Sequence, residues 1–221
     1  YTPFSFNPHN GDKEMFAVGH LALGYLFAKL CQKLLKTKVN LPLVFFLSLI
    51  PDVDLLANDF VDFVHRGLTH SIIVAILLFV PVFLFYRKRA VPYFAAVAQH
   101  SLIGDLLTNG GVQLFWPLAS TWYGAGIAMR GALSLSLEWA SFLLAMAVLA
   151  KSGDLRMLLS FRKSNLLLAV PSVTIFLSAI VGMSEIAPIS LLIPHLLFLA
   201  IFVVSITSFF FGKHLFGRQA K

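Results

Sequence analysis

Cys31 is the only cysteine in 221 residues, which excludes a disulfide framework and a zinc site built on thiolates. Charge is scarce as well. Asp, Glu, Lys and Arg together make 12% of the chain, about half of what a soluble domain carries. The few methionines are dispersed and read as core filler. The first fourteen residues are polar, hold Pro3 and Pro8, and show no basic stretch leading into an apolar one. They do not read as a secretory signal, and 1–14 is taken as a non-core tail or extended start. No internal repeat is visible.

What the chain has instead is apolar sequence in long runs. Hydrophobic residues make up 58%, and the mean hydropathy is +0.85. Seven segments stand out, roughly 15–35, 40–57, 69–87, 91–109, 131–150, 165–182 and 187–211. A helical membrane span needs about 20 residues, so the expected fold class is all-α, a polytopic transmembrane helical bundle of about seven spans. The segment 40–57 is the shortest and contains Pro51, which predicts a kink or an early stop. Residues 110–130 hold Trp116, Pro117, Trp122 and Tyr123 and read as an interfacial loop with aromatic anchors. The chain divides into a four-span half, 15–118, and a loop with three further spans, 119–221.

The formal charge of +7 raises nucleic acid as a partner. The basic residues, however, lie in short clusters between apolar runs, not along one stripe, so no nucleic acid is expected. They act as topology signals. Fourteen of the seventeen Lys and Arg residues fall in alternate connections around 29–38, 87–89, 151–163 and 213–221; only Lys13, Arg66 and Arg130 fall in the others. Excess positive charge marks the cytoplasmic side, which predicts a cytoplasmic C-terminus and an N-terminus outside.

Ionisable side chains within apolar spans are costly and mark function. Here they gather. His20 opens the first span, Asp52 and Asp54 close the second in PDVD, His65 and His70 flank the start of the third in HRGLTHS, and His100 and Asp105 close the fourth in QHSLIGD. With the N-terminus outside, all seven fall in the outer half of the membrane. Imidazole with carboxylate suits a divalent metal, zinc first, with manganese or iron also compatible. Seven ligands exceed one tetrahedral ion and suit two ions sharing a carboxylate. His100 and Asp105 are five apart, which separates them on a regular α-helix; a π turn, or a helix end near Gly104, brings them together. Thr69 or Ser71 is placed to cap the third helix. Gly24 and Ala28 follow His20 on a small-residue face that lets another helix approach.

Other polar residues read more plainly. Asp59 and Asp62 are loop charges, and His9 and His214 lie in tails. His195 follows Pro194 and is expected to bond a freed carbonyl. Glu138, in the fifth span, is a further ligand, a general base or a structural hydrogen-bonding group.

The ordered set GHLALGYL, PDVD, HRGLTHS and QHSLIGDLLTNGGVQLFWP resembles the membrane-bound metal-dependent hydrolase family, which includes an inner-membrane protein regulated by LexA. The likeness covers residues 16–118. In motif style the family is distantly similar to zinc-dependent phospholipases C. The resemblance implies His20, Asp52, Asp54, His65, His70, His100 and Asp105 as metal ligands and a prokaryotic plasma membrane as the location. Many members space the His and Asp of the last motif by four, where this chain has five. The expected function is a metal-dependent hydrolase acting on a phosphoester of an amphiphilic or lipid-linked substrate, with metal-activated water. Arg66 is the expected phosphate-holding group, and Glu138 the candidate proton carrier. Two other classes stay open: a carrier of metal ions or protons, and a non-catalytic membrane subunit stapled by a structural metal.

Overall fold

The computed structural model describes residues 15–56, 66–181 and 187–216. Among them the regular structure is helical throughout, with no strand. The elements are α1 (Ala17–Leu35), α2 (Leu41–Ser48), α3 (Ile72–Tyr86), α4 (Val91–Gln99), α5 (Ala132–Lys151), α6 (Asp154–Leu158), α7 (Ala169–Phe176) and α8 (Ile189–Phe216).

Local chemistry sets the boundaries. Asn40 caps α2, its side chain accepting the Leu43 N–H at 3.4 Å. The helix stops at Ser48, and the chain continues as a 3-10 turn over Ile50–Leu56, because Pro51 has no N–H to extend the ladder. The apolar run 40–57 is therefore a short helix and a turn, not one continuous helix. Ser71, one of the two expected caps, starts α3 by accepting the Val74 N–H at 3.3 Å. α4 runs directly into a π turn over His100–Asp105, the arrangement that a five-residue spacing of inward groups calls for.

α1 is the central helix, packed on α2, α4 and α5. Gly24 is what allows α2 so close: a Cβ there would stand 1.9 Å from Ser48 Oγ. Below it lies an aromatic core of Tyr25, Phe45, Phe142, Phe198 and Phe202, with ring centroids 5.0–5.9 Å apart. Edge-on and offset contacts of this kind each contribute about 0.5–1.5 kcal/mol beyond burial. α3 behaves in the opposite way. None of its residues is buried; Phe79 and Phe83 pack on Phe94 of α4, while Leu77, Leu78, Leu84 and Phe85 point outward, an apolar face that belongs in a non-aqueous surrounding.

Two of the described helices are long and apolar enough to cross a membrane, Ala132–Lys151 and Ile189–Phe211, and a shorter apolar stretch covers Lys163–Ala179. The first half is built differently. α2 has eight residues, about 12 Å of helix, against a hydrocarbon core of about 30 Å. Hydropathy alone does not separate a run that crosses lipid from one buried against other helices.

In α8, Pro194 removes the N–H that would bond the Ser190 carbonyl. That carbonyl instead accepts Trp139 Nε1–H at 3.1 Å. His195, expected to take the freed carbonyl, donates from Nδ1 to Leu191 O at 2.8 Å, one residue further along.

Candidate functional site

Four elements deliver polar side chains to one buried place. α1 supplies His20, the 3-10 turn after α2 supplies Asp52 and Asp54, the short turn Leu68–His70 supplies His70, and the π turn after α4 supplies His100 and Asp105. His20, His70, His100 and Asp105 are each at most 1% exposed. The Asp52 side chain is 16% exposed, so the cluster meets the exterior on that side.

Hydrogen bonds on the outer side of each imidazole decide what faces inward. His100 Nδ1 lies 2.8 Å from the Ser48 carbonyl oxygen. A carbonyl only accepts, so Nδ1 carries the proton and Nε2 of the neutral ring is a bare lone pair. His70 Nδ1 lies 3.0 Å from Thr69 Oγ1, and Thr69 in turn donates its hydroxyl proton to Asp54 Oδ2 at 2.6 Å. With His70 donating to Thr69, and Thr69 to the accepting Asp54 carboxylate, the His70 Nε2 lone pair is turned inward too. Thr69 thus serves the site and not the cap of α3. This is the pattern of histidines oriented by a carbonyl or carboxylate behind them.

The inward atoms form a ring of four. His100 Nε2 is 3.0 Å from Asp52 Oδ1, Asp52 Oδ1 is 3.3 Å from His70 Nε2, His70 Nε2 is 3.4 Å from Asp105 Oδ2, and Asp105 Oδ2 is 3.5 Å from His100 Nε2. Asp105 Oδ2 takes no hydrogen bond among the described residues. Neutral imidazole and ionised carboxylate would present only lone pairs to one another here, and they stay together only around positive charge, a proton or a metal ion. Ligands at about 2.0–2.1 Å from a tetrahedral zinc stand roughly 3.3 Å apart, which is the spacing of the ring. His20 flanks it: its ring stacks on His100 with centroids 3.6 Å apart, and its Nε2 is 3.9 Å from Asp105 Oδ1. Two overlapping ligand triads result, His20 with Asp52 and His100, and His70 with His100 and Asp105.

Arg66 sits at the edge. It adopts a left-handed backbone, φ 66°, and is 3% exposed. Nη1 donates to Gly111 O at 3.2 Å, Nη2 is 3.6 Å from Asp105 Oδ1, and its carbonyl accepts the Gln113 N–H at 3.0 Å. The loop after the π turn therefore holds Arg66 against the cluster.

The structure thus brings together His20, Asp52, His70, His100 and Asp105, with Arg66 beside them. Asp54 lies on the far side of His70, behind the ring. Glu138 is elsewhere: Oε1 accepts the Phe16 N–H at 2.8 Å, tying α5 to the start of α1. His65, Asp59, Asp62 and His9 lie outside the described residues. Sequence reasoning passed over Gln99, which donates to the His20 carbonyl at 3.1 Å and to Ala96 O at 3.2 Å, and the Ser48 carbonyl. Gly104 is the close approach that lets His20 in: a Cβ there would stand 2.3 Å from His20 Cε1.

Described residues whose regular structure is all helical, two apolar helices of spanning length, an outward apolar face on α3 and a buried cluster of imidazoles and carboxylates define a helical membrane protein with a polar centre. Residues 15–186 match the family described as YdjM inner membrane protein, and the chain belongs to that family. That description names a membrane and neither a reaction nor a metal. No curated protein and no solved structure matches the chain.

Proposed function

We propose that this protein is a membrane-embedded metal-dependent hydrolase that cleaves a phosphoester of an amphiphilic, lipid or lipid-linked, substrate. The observation that carries the reading is the ring of His70, His100, Asp52 and Asp105, whose inward atoms alternate nitrogen and oxygen at 3.0–3.5 Å. Those four, with His20 beside them, would hold one or two divalent ions, zinc before manganese or iron. A bound ion there supplies a water acidified toward neutral pH and a counter-charge for phosphate oxygens.

The chain's own groups do the rest. The Ser48 carbonyl and the Thr69–Asp54 pair keep both imidazoles in the tautomer that presents Nε2. Arg66 offers a planar, permanently charged fork suited to a phosphate. The Asp52 side is the open one, which keeps a position for substrate, as catalytic sites require and structural sites do not. Glu138 serves as a positioning group that fixes the start of α1, and with it His20. The excess of Lys and Arg in alternate connections supports a site near the extracytoplasmic face, within reach of a substrate lying in the outer leaflet.

The test is elemental analysis of the detergent-purified chain beside a His100→Ala variant, followed by a phosphoesterase and acyl-esterase screen. The reading expects one or two divalent ions per chain, lost in the variant, and hydrolysis lost with them. Retained metal with no cleavage, joined by metal uptake into proteoliposomes, would transfer the site to a carrier. Absence of any bound metal would remove both.

A further inference from the structure

At the opposite end of α1 from His20 lies a second polar feature that the hydrolase reading does not use. Thirteen residues separate His20 from Lys33, about 20 Å along a helix. Lys29 and Lys33 are four apart on α1 and share one helical face, and Lys36 follows as the left-handed C-cap of that helix. With Leu26, Leu30 and Val148 they line a cavity of about 550 Å³, which Gln32 and Thr37 complete. Half-buried Leu26 and Val148 give it an apolar floor, and Leu30, Lys33 and Lys36 are exposed at its rim.

The charges are not alike. Lys29 Nζ lies 2.5 Å from Asp154 Oδ2, and Asp154 also accepts the Tyr25 hydroxyl proton at 2.8 Å. Lys29 is thereby neutralised and its carboxylate locked in place. Lys33 and Lys36 meet no carboxylate among the described residues, so the cavity keeps a positive excess. Thr37 Oγ1 is buried and makes no hydrogen bond among the described residues; its hydroxyl can serve an anion as a donor. Topology needs only positive charge on that side. It does not need a lined cavity with an uncommitted buried hydroxyl and an apolar floor.

We infer that this cavity is a binding site for the phosphate headgroup of an anionic phospholipid, with the glycerol and upper acyl carbons against Leu26, Leu30 and Val148. A basic pocket between helices at the headgroup level of an inner-membrane protein is suited to such a lipid, and the apolar floor distinguishes it from a seat for free phosphate. The inference stands apart from the hydrolase reading, since no residue of the His–Asp cluster takes part.

The test uses the full chain in a neutral detergent, titrated with short-chain phosphatidylglycerol, with short-chain phosphatidylcholine and with inorganic phosphate, reading the melting temperature and bound lipid by native mass spectrometry. Phosphatidylglycerol should bind and raise the melting temperature, and the Lys33→Gln/Lys36→Gln double variant should bind it roughly tenfold or more weakly. Both lysines are exposed, so the variant should keep the melting temperature of the lipid-free protein. Equal response to phosphatidylcholine, an unchanged affinity in the double variant, or a response to inorganic phosphate equal to that of the lipid would each overturn the proposal.

Discussion

Asp52 Oδ1 and His100 Nε2 lie 3.0 Å apart, while the other ring nitrogen is committed to the Ser48 carbonyl, so with the ring neutral both facing atoms bear lone pairs. Such a contact asks for a cation between or beside the two atoms. Their relation is the most direct handle on the site, because one isosteric change alters its logic.

In Asp52→Asn the amide can turn an N–H toward His100 Nε2 and satisfy it without a metal. The wild-type protein should lose stability on chelation; a site saturated a hundredfold over its Kd contributes about 2.7 kcal/mol. The variant should melt at one temperature with and without chelator. A chelator-dependent shift of wild-type size in the variant would count against Asp52 as a ligand.

Gly104→Ala places a methyl where the His20 ring lies, 2.3 Å from Cε1. The ring must leave its stack on His100, at a cost of about 1–3 kcal/mol. Thermal unfolding should show the loss, and metal content should fall with it. An unchanged melting temperature together with full metal would mean that the backbone of the π turn yields instead.

For Arg66→Lys, the charge stays but the fork is lost. Metal content should match wild type, whereas phosphoester turnover should drop by about 10²–10³, the range seen when a single group stabilising developing charge is removed. Equal losses of metal and turnover would assign Arg66 to holding Asp105, which its Nη2 approaches at 3.6 Å.

Orientation can be read with one thiol, since Cys31 is the only native one. In a Cys31→Ser background, Ser120→Cys should react with a membrane-impermeant maleimide added to intact cells, and Lys88→Cys should react only after lysis. The reverse pattern would invert the topology and move the site to the cytoplasmic side.

Much of the centre was legible in the sequence because ionisable groups in apolar runs have no cheap explanation. His20, Asp52, His70, His100 and Asp105 stand out for that reason, and the five-residue gap from His100 to Asp105 calls for a π turn or a helix end near Gly104, of which the π turn is found at His100–Asp105. The supporting atoms were not legible. The Ser48 carbonyl belongs to the backbone and leaves no mark in residue type, and Gln99 is an uncharged side chain among many. Asp54 looked like Asp52 in PDVD, yet neighbouring carboxylates in a 3-10 turn point to different sides, and Asp54 ends behind His70. The early stop that Pro51 predicts in 40–57 is found, with α2 ending at Ser48, but the packing of its neighbours around α1 leaves no mark in hydropathy. The partner of His195 was misplaced by one residue, since the carbonyl that Pro194 releases belongs to Ser190 and had a closer claimant in Trp139.

A π turn winds one more residue into each circuit than an α turn does. The segment His100–Asp105 therefore absorbs an added residue without rotating its two ends away from each other, and histidine and aspartate spaced by five face the same way as a pair spaced by four on an unbroken helix. The length of this segment can change by one residue in descent while the centre it serves stays in place.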